Sequence, residues 1–360
     1  MFFTVSKNDI KKMLQDNLDY LSTITVEECT LYKKWIDINT KKWSDKDKIL
    51  ISKVKSNIWT PDGNIPSPKL IYVDSNNDQD IWKTLRVFTN TLAWKQGPGR
   101  LLKFYVIDDV TQKYLGVISL ASDFIGIGGR DKIIGWNNEH KLKRGMLKHT
   151  MIGSTLSPTQ PFGYNYLGGK LMALLCVSDE VEKVFNNKYQ EKLAGITTTS
   201  LYGGYSQYTG LKYWKKCESS NGDIELEPTE DVYIKLKDWF RTEYSDLYLK
   251  FSETRRLKKY MLMFLYKELG IKVYPNNAPR GVYWCPLFEN TNEFLRMDCN
   301  ELRNRKFDNS VETLIKVWKN KYLSKRLSQN KIIVDILYYD DIIGCEWEYV
   351  KNKYLRDVGR

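Results

Sequence analysis

The 360-residue sequence is poor in the residues that build metal centres and disulfide frameworks. It has two histidines, His140 and His149, and six cysteines that are scattered without a C-x-x-C pair. The first shortage argues against a histidine-rich metal centre, and the second against a zinc ribbon or a disulfide scaffold. We therefore expect reduced thiols and no dedicated metal site.

Long apolar runs are also missing. No window approaches about 18 consecutive apolar residues, the length that suggests a membrane-spanning helix. The first twenty residues carry several lysines and acids but no apolar segment of the kind found in signal peptides. We expect a protein without membrane contacts that works in the cytoplasm, in the host cytoplasm if a phage encodes it.

Basic residues exceed acidic ones, 56 against 44, which gives a net charge of +12. This excess favours a polyanionic partner, with double-stranded DNA as the first candidate. The 11 Trp and 24 Tyr agree with this, since aromatic rings stack on exposed bases. The alternative is that genome composition makes the encoded protein rich in Lys and Asn, and so basic without any polyanionic partner.

Apolar spacing divides the chain into three predicted segments. Residues 1–60 are predicted to be a helical segment, residues 69–225 an α/β core, and residues 226–360 a mostly helical C-terminal region. A Pro- and Gly-rich stretch at 59–68 is the candidate linker. Strands are predicted at 69–73, 101–107, 115–121, 147–156, 194–200, 272–274 and 282–284. Helices are predicted at 79–94, 171–188, 206–214, 232–243, 247–269 and 311–326, and residues 332–337 and 345–353 form further elements.

A loop dense in glycine precedes the predicted helix 171–188. Its candidate phosphate contacts are Gln160, Gly163, Tyr164, Gly168, Gly169 and Lys170. A strand that feeds such a loop and a helix N-terminus presents free N–H groups that can bind phosphates. The loop has neither the Walker nor the dinucleotide-binding glycine spacing. An ordinary tight strand-to-helix connection is the alternative.

The order of elements in the core resembles that of the GNAT acyltransferases. The predicted fold is therefore α/β, with a GNAT-like mixed sheet flanked by helices. The resemblance implies that the loop holds the pyrophosphate of acetyl-CoA or another acyl donor, and that Tyr208 protonates the leaving thiolate. The loop lacks the family's usual Q/R-x-x-G-x-G/A pattern.

Three strings between Leu115 and Cys217 resemble the phage Mom family. They are Gly116-Val-Ile-Ser-Leu-Ala-Ser-Asp123, Gly129-Arg-Asp-Lys-Ile-Ile-Gly-Trp136 and Thr198-Thr-Ser-Leu-Tyr-Gly-Gly-Tyr-Ser-Gln-Tyr208. Similar strings occur in the related protein A of Druantia anti-phage systems. The Mom resemblance implies a bacteriophage anti-restriction enzyme that transfers a carbamoylmethyl group to the exocyclic amine of adenine in DNA.

Four residues are candidate catalytic groups. Asp131 could orient or deprotonate the attacking amine, or could pair with Arg130 to hold the loop. Asp123, which ends a strand, is a second candidate base or a turn cap. Ser200 could donate to a substrate oxygen, and Tyr208 is the proton donor that the GNAT resemblance implies.

Further residues are candidate nucleic-acid contacts. Trp136 could stack on an extruded base or anchor the core. The candidate phosphate contacts are Arg130, Lys141, Lys143, Arg144, Lys148, Arg255 and Arg256. Solvated basic faces are the alternative for these residues.

The sequence leaves three functions in competition. The first is a DNA-modifying transferase. The second is a non-catalytic nucleic-acid-binding defence or anti-defence protein, in which side chains would block the cleft for the acyl donor. The third is an acyltransferase that acts on a protein or a small amine.

Overall fold

The computed structural model describes residues 6–89, 99–200, 206–218, 226–254, 256–275, 280–329 and 342–357. Within these residues, seven strands form one sheet. The strands are β1 (Pro68–Tyr72), β2 (Leu101–Asp108), β3 (Tyr114–Ser122), β4 (Thr150–Pro158), β5 (Gly195–Ser200), β6 (Lys215–Lys216) and β7 (Gly281–Pro286).

The sheet has the order β1-β2-β3-β4-β5-β7-β6, and β4 and β5 form its parallel pair. The other neighbouring strands run antiparallel. Pairing between β4 and β5 covers only Thr150–Gly153 of β4, so the last five residues of that strand have no partner on β5. Ser154 is skipped in the pairing with β3, which marks a bulge where the separation begins. The predicted GNAT-like mixed sheet is confirmed.

Helices cover much of the remaining described chain. The α-helices are α1 (Lys7–Thr23), α2 (Val26–Thr40), α3 (Asp45–Ser56), α4 (Asn76–Leu85), α5 (Gly128–Ile134), α6 (Phe162–Tyr166), α7 (Gly168–Leu175), α8 (Asp179–Tyr189), α9 (Glu230–Glu243), α10 (Ser245–Ser252), α11 (Leu257–Leu269), α12 (Thr291–Arg296), α13 (Val311–Val317), α14 (Ser324–Leu327) and α15 (Trp347–Asp357). Short 3₁₀ segments lie at Arg86–Phe88 and Met146–His149, and π-helical segments at Glu139–Lys143 and Trp318–Leu323.

The predicted helix at 171–188 is in fact two helices, α7 and α8. The break lies at Ser178, whose side chain accepts a hydrogen bond from the Val181 N–H and so caps a new helix. Asn309 holds the break from a distant part of the chain, because its side chain donates to the Val177 carbonyl over 3.2 Å. The apolar spacing continues through the break, so the sequence pattern alone did not show it.

Other predicted elements also differ from the structure. The predicted helix at 206–214 is a series of turns, and the predicted strand at 272–274 is irregular chain. The predicted helix at 247–269 divides into α10 and α11. The α-helical part of the predicted helix at 79–94 ends at Leu85. Its residues 90–94 lie outside the described residues, and so does the predicted element at 332–337.

The structure groups the chain into two compact units, whereas the sequence suggested three consecutive segments. One unit combines residues 1–42 and 222–278, and the other combines residues 43–221 and 279–360. In the first unit, α1 packs with the later helices around a core that includes Leu14, Leu18, Phe240 and Leu265. The second unit contains the whole sheet, to which β7 returns after residues that belong to the first unit.

Both faces of the sheet are covered in the second unit. Phe104 and Tyr283 belong to one buried cluster, which α7 and α8 also line. Their chain neighbours Tyr105 and Trp284 belong to two different clusters. This alternation follows from the two-residue period of a strand, which points successive side chains to opposite faces. In the described part of the chain, no helix combines the length and apolar character needed to cross a bilayer.

Buried His149 makes the fold sensitive to mild acid. Its Nδ1 lies 2.9 Å from the Lys192 carbonyl, to which the neutral ring donates, and burial lowers the pKa of the imidazole. The unfolded chain therefore takes up a proton near pH 6.5, before the folded chain does. Stability rises with pH wherever the unfolded state binds more protons. We expect the free energy of unfolding to decrease as the pH falls through about 6.5.

The control is His149→Gln, which keeps a hydrogen-bond donor but has no titrating group. Urea unfolding at several pH values between 5.5 and 7.5 gives the slope for each protein. We expect a smaller slope in the variant, and equal slopes would assign the pH dependence to other groups.

Candidate functional site

The divergence of β4 and β5 creates the cleft in which a GNAT-type acyl donor would lie. The chain's own side chains occupy this cleft. The Gln207 amide donates to the Leu156 carbonyl on β4 over 2.8 Å. Its Oε1 lies so close to α7 that a Cβ on Gly169 would be only 2.3 Å away. Gln207 therefore bridges the unpaired end of β4 and the first turn of α7.

Tyr208 closes the same cleft from the inside. Its hydroxyl lies 3.3 Å from Thr198 Oγ1 on β5, and Thr198 also donates to the Gly153 carbonyl on β4 over 2.9 Å. The Tyr208 ring is buried and packs against Tyr283 at 5.0 Å between centroids. Burial raises the pKa of the Tyr208 hydroxyl. This residue is a packing group in the described structure.

The predicted phosphate loop satisfies many of its polar groups internally. Gln160 Oε1 accepts from the Tyr164 N–H at 3.1 Å, and the Gly163 N–H donates to the Thr159 carbonyl at 2.9 Å. Gly168 packs so tightly that a Cβ there would meet the Phe162 ring at 2.5 Å. The glycines allow close packing, which was the alternative to phosphate binding. Together with Gln207, these contacts do not fit a bound acyl-coenzyme A.

Lys170 belongs to a basic cluster at this cleft, which we call the Tyr322 lysines: Lys170, Lys212 and Lys321. The ammonium groups of Lys170 and Lys321 lie 5.1 and 5.6 Å from the Tyr322 ring centre. The backbone N–H of Lys212 donates to the Tyr322 hydroxyl over 2.7 Å. Lys170 also donates to the Gln207 and Thr209 carbonyls. Burial, and secondly the charge of Lys321, lower the pKa of Lys170.

None of the Tyr322 lysines forms an ion pair with a carboxylate among the residues that the structure describes. Lys212 and Lys321 are exposed, and the Lys212 ammonium lies 4.9 Å from the centre of the Tyr213 ring. Exposed cations next to aromatic rings are a common arrangement on nucleic-acid-binding surfaces. In the sequence, Lys-Tyr pairs at 212–213 and 321–322 supply part of this site, but the same pair occurs at four other places and does not single it out.

Arg130 lies in a buried ionic cluster away from this cleft. Its guanidinium approaches Asp123 Oδ1 at 2.7 Å and Asp131 Oδ1 at 2.6 Å, and it donates to the Phe124 carbonyl at 2.9 Å. Lys141 binds the other Asp131 oxygen at 2.5 Å. Two acids and two bases give the cluster no net charge. The Arg130 side chain is fully buried, so its interactions are with the protein and not with phosphate.

The four predicted catalytic residues do not converge on one point. Thr197 on β5 donates to Asp123 over 3.0 Å, whereas the next residue, Thr198, contacts Tyr208. Successive residues of a strand face opposite sides of a sheet. The carboxylates and Tyr208 therefore lie on opposite faces. Ser200, buried at the end of β5, shares the face of Thr198 by the same alternation.

The Asp123 carboxylate is held by hydrogen bonds to the loop. Burial raises its pKa most strongly, while Arg130, Thr197 and the Phe124 N–H act in the opposite direction. In Asp131, both carboxylate oxygens accept charged hydrogen bonds from Arg130 and Lys141. The geometry fits the alternative in which the Arg–Asp pair fastens the loop to the core.

The predicted nucleic-acid contacts have different environments. Trp136 is buried and donates from Nε1 to the Leu295 carbonyl over 2.8 Å, so it anchors the core. Lys141 is also buried. The exposed members of the group are Lys143, Arg144, Lys148 and Arg256, and Arg255 lies outside the described residues. Arg144 and Lys148 approach Glu139 and Glu191, respectively. No group of His, Cys, Asp or Glu in the described chain is arranged to hold a metal ion.

Comparison with known proteins identifies one family. The family described as Druantia protein DruA matches residues 25–297. The Druantia protein DruA of Escherichia coli (strain UMEA 4076-1) is 30% identical over 203 residues, which are 51% of this chain and 50% of that relative. The match thus spans about half the length of the curated relative. No solved structure matches the chain.

These matches correct the resemblance to the Mom family. Both comparisons point to the Druantia relative, which the sequence strings also resembled, and neither points to a Mom protein. The inferred transfer of a carbamoylmethyl group to adenine, and the anti-restriction role attached to it, are therefore wrong as the main function. The strings between Leu115 and Cys217 cover a part of the chain only, whereas the family match extends on both sides of it.

Proposed function

Because the chain belongs to the family described as Druantia protein DruA, we propose that it is a DNA-binding component of an anti-phage defence system. The GNAT-like core then serves as a scaffold for binding. The observation that carries this proposal is the cleft of the acyl donor, which Gln207 and Tyr208 fill. Lys170 contacts Gln207 there and belongs to a group of lysines that have no carboxylate partner in the described chain. Acyl transfer would require Tyr208 to leave its buried contacts and Gln207 to leave its part-buried one.

The Tyr322 lysines supply the proposed contact to DNA. The charge of Lys321 lowers the pKa of Lys170, so these two cations repel each other, and a phosphate backbone would relieve this repulsion. Lysines that replace condensed counterions make the affinity depend on salt, with a slope of about −0.9 per neutralised phosphate on duplex DNA. Each exposed lysine that touches a phosphate should therefore contribute about one unit to that slope.

The test is Lys212→Gln/Lys321→Gln, which removes the two exposed charges and leaves Lys170 in its structural contacts. Fluorescence anisotropy with a labelled DNA duplex, at several salt concentrations, gives the affinity and its slope. We expect the affinity to fall at least about tenfold and the slope to decrease in magnitude by about two. Because the proposal includes no group transfer, we also expect DNA from cells that express the protein to carry no added mass.

The matched control is Lys46→Gln/Lys183→Gln, which loses the same charge from lysines of the same unit. These two lysines pair with Asp80 and Glu180 at 2.8 Å. We expect this control to bind nearly as wild type does. If both double variants lose the same affinity, the effect comes from net charge and not from the Tyr322 lysines. Absence of saturable DNA binding by the wild type would refute the proposal.

A further inference from the structure

A second basic site lies at the β1 end of the sheet. A cavity of about 610 Å³ opens between the end of β1, the beginning of β2 and the last turn of α8. The lining residues that matter here are Tyr72, Gln79, Arg100, Lys103, Lys188 and Tyr189. None of them belongs to the Tyr322 lysines. No acidic residue is among the nine described residues that line the cavity.

Lys103 is the most unusual of these residues, because it is a buried lysine with no counterion among the residues that the structure describes. It is 5% exposed, and its ammonium donates to the neutral Gln79 Oε1 over 2.9 Å. The Trp82 ring lies 4.8 Å from the same ammonium. Burial lowers the pKa of Lys103, and the charges of Lys83, Arg86 and Lys188 lower it further. Burying a charge among like charges is unfavourable unless an anion compensates it.

Within the described residues, the side chains of Arg100 and Lys188 likewise donate to neutral oxygens and to no carboxylate. Arg100 donates from Nη1 to the Lys148 carbonyl over 2.6 Å, and its guanidinium rests 4.8 Å from the Tyr189 ring centre. Lys188 donates to the Tyr72 hydroxyl and the Leu101 carbonyl, each at 3.2 Å. A guanidinium has five N–H donors and an ammonium three, so both groups keep donors for a ligand.

We infer that this cavity binds the phosphate of a nucleotide, with Arg100, Lys103 and Lys188 as its ligands. Three uncompensated positive charges suit a multiply charged anion better than a single carboxylate. The guanidinium can bind two phosphate oxygens at once, and the lysines act as point charges. The volume lies within the range of small-molecule sites and exceeds what a lone phosphate needs.

The phosphate could come from a free nucleotide or from the 5′ end of a nucleic-acid strand. The chemistry of recognition is the same in both cases. The inference goes beyond the proposed DNA binding and does not depend on it, because it involves different side chains. Failure of the duplex-binding test would leave the phosphate-binding test unaffected.

The experiment is isothermal titration of the full chain with pyrophosphate, ATP, and a trinucleotide with either a 5′-phosphate or a 5′-hydroxyl. We expect saturable binding of pyrophosphate that weakens at least tenfold in Lys188→Gln and in Lys103→Met. The control Lys183→Gln changes a lysine of the same helix that already pairs with Glu180 and should bind as wild type does. The thermal transition of each variant shows whether it folds. If Lys103→Met does not fold, Lys188→Gln still tests the inference, because Lys188 is exposed.

The two sources of phosphate give different results. Stronger binding of ATP than of either trinucleotide identifies a free nucleotide, whereas a preference for the 5′-phosphorylated over the 5′-hydroxyl trinucleotide identifies a strand end. Absence of binding to all four compounds at millimolar concentration overturns the inference. So does wild-type affinity in a folded Lys188→Gln protein.

Discussion

Replacing Arg130 by methionine is expected to lower the free energy of unfolding by about 3–5 kcal/mol. Methionine fills a similar volume, so the loss comes from the charge. The buried carboxylate of Asp123 and the partly buried one of Asp131 would lose the group that approaches both of them within 2.7 Å. Lys141 would still bind Asp131, whereas Asp123 would keep only the neutral donors that contact it. Chemical denaturation measures the difference.

The same variant should also acquire a characteristic pH dependence. Burial already raises the pKa of Asp123 in the wild type, and without Arg130 no cation opposes it, so the pKa rises further above that of the unfolded chain. The folded variant then binds more protons than the unfolded chain above about pH 4, so its stability falls as the pH rises through this range. We expect the difference from wild type to be smaller at pH 5 than at pH 7.

Two further variants separate the charge effect from a general loss of packing. Adding Asp123→Asn to Arg130→Met should recover part of the stability at pH 7 and flatten the pH dependence. Arg144→Met removes an exposed arginine 3.7 Å from Glu139 and should change the free energy of unfolding by less than about 0.5 kcal/mol. If Arg130→Met is as stable as Arg144→Met, the buried cluster does not hold the loop.

Local patterns predicted the sheet of the second unit well. The apolar strands β2 and β3, and the turn between them, follow from short-range signals. In that turn the Asp108 carboxylate accepts hydrogen bonds from Thr111 and from the Ser67 N–H. The order of elements that resembled the GNAT core appears as the parallel pair of β4 and β5 inside an antiparallel sheet.

The sequence patterns could not predict contacts between residues that are far apart in the chain. Gln207 reaches Leu156 across 51 residues, and this contact decides whether the cleft is open. Arg130 looked like a phosphate contact because the sequence does not show that Asp123 lies against it. The break between α7 and α8 depends on Asn309, more than 100 residues away. Function was misassigned for a different reason, because the strings between Leu115 and Cys217 resemble two families and the comparisons point to the Druantia relative.

Replacing Gly195 by alanine is expected to lower the free energy of unfolding by about 1–3 kcal/mol or more. Gly195 begins β5, and a Cβ there would lie 2.2 Å from Cη2 of Trp284 on β7. Trp284 is fully buried, so its ring cannot move aside without disturbing its neighbours. The control is Gly126→Ala, because a Cβ at Gly126 meets nothing within 4 Å. That substitution should be neutral or slightly stabilising.

A double variant tests the steric reason directly. Trp284→Leu removes the ring atoms that would collide, and by itself it leaves a cavity next to Gly195. If the collision is the cause, Gly195→Ala will cost less in the Trp284→Leu protein than in wild type, with a coupling of about 0.5–3 kcal/mol between the two sites. Strictly additive costs would mean that the alanine acts through the β5 backbone. The same cycle reports whether β7, which returns from a distant part of the chain, packs against the β5 edge as the structure shows.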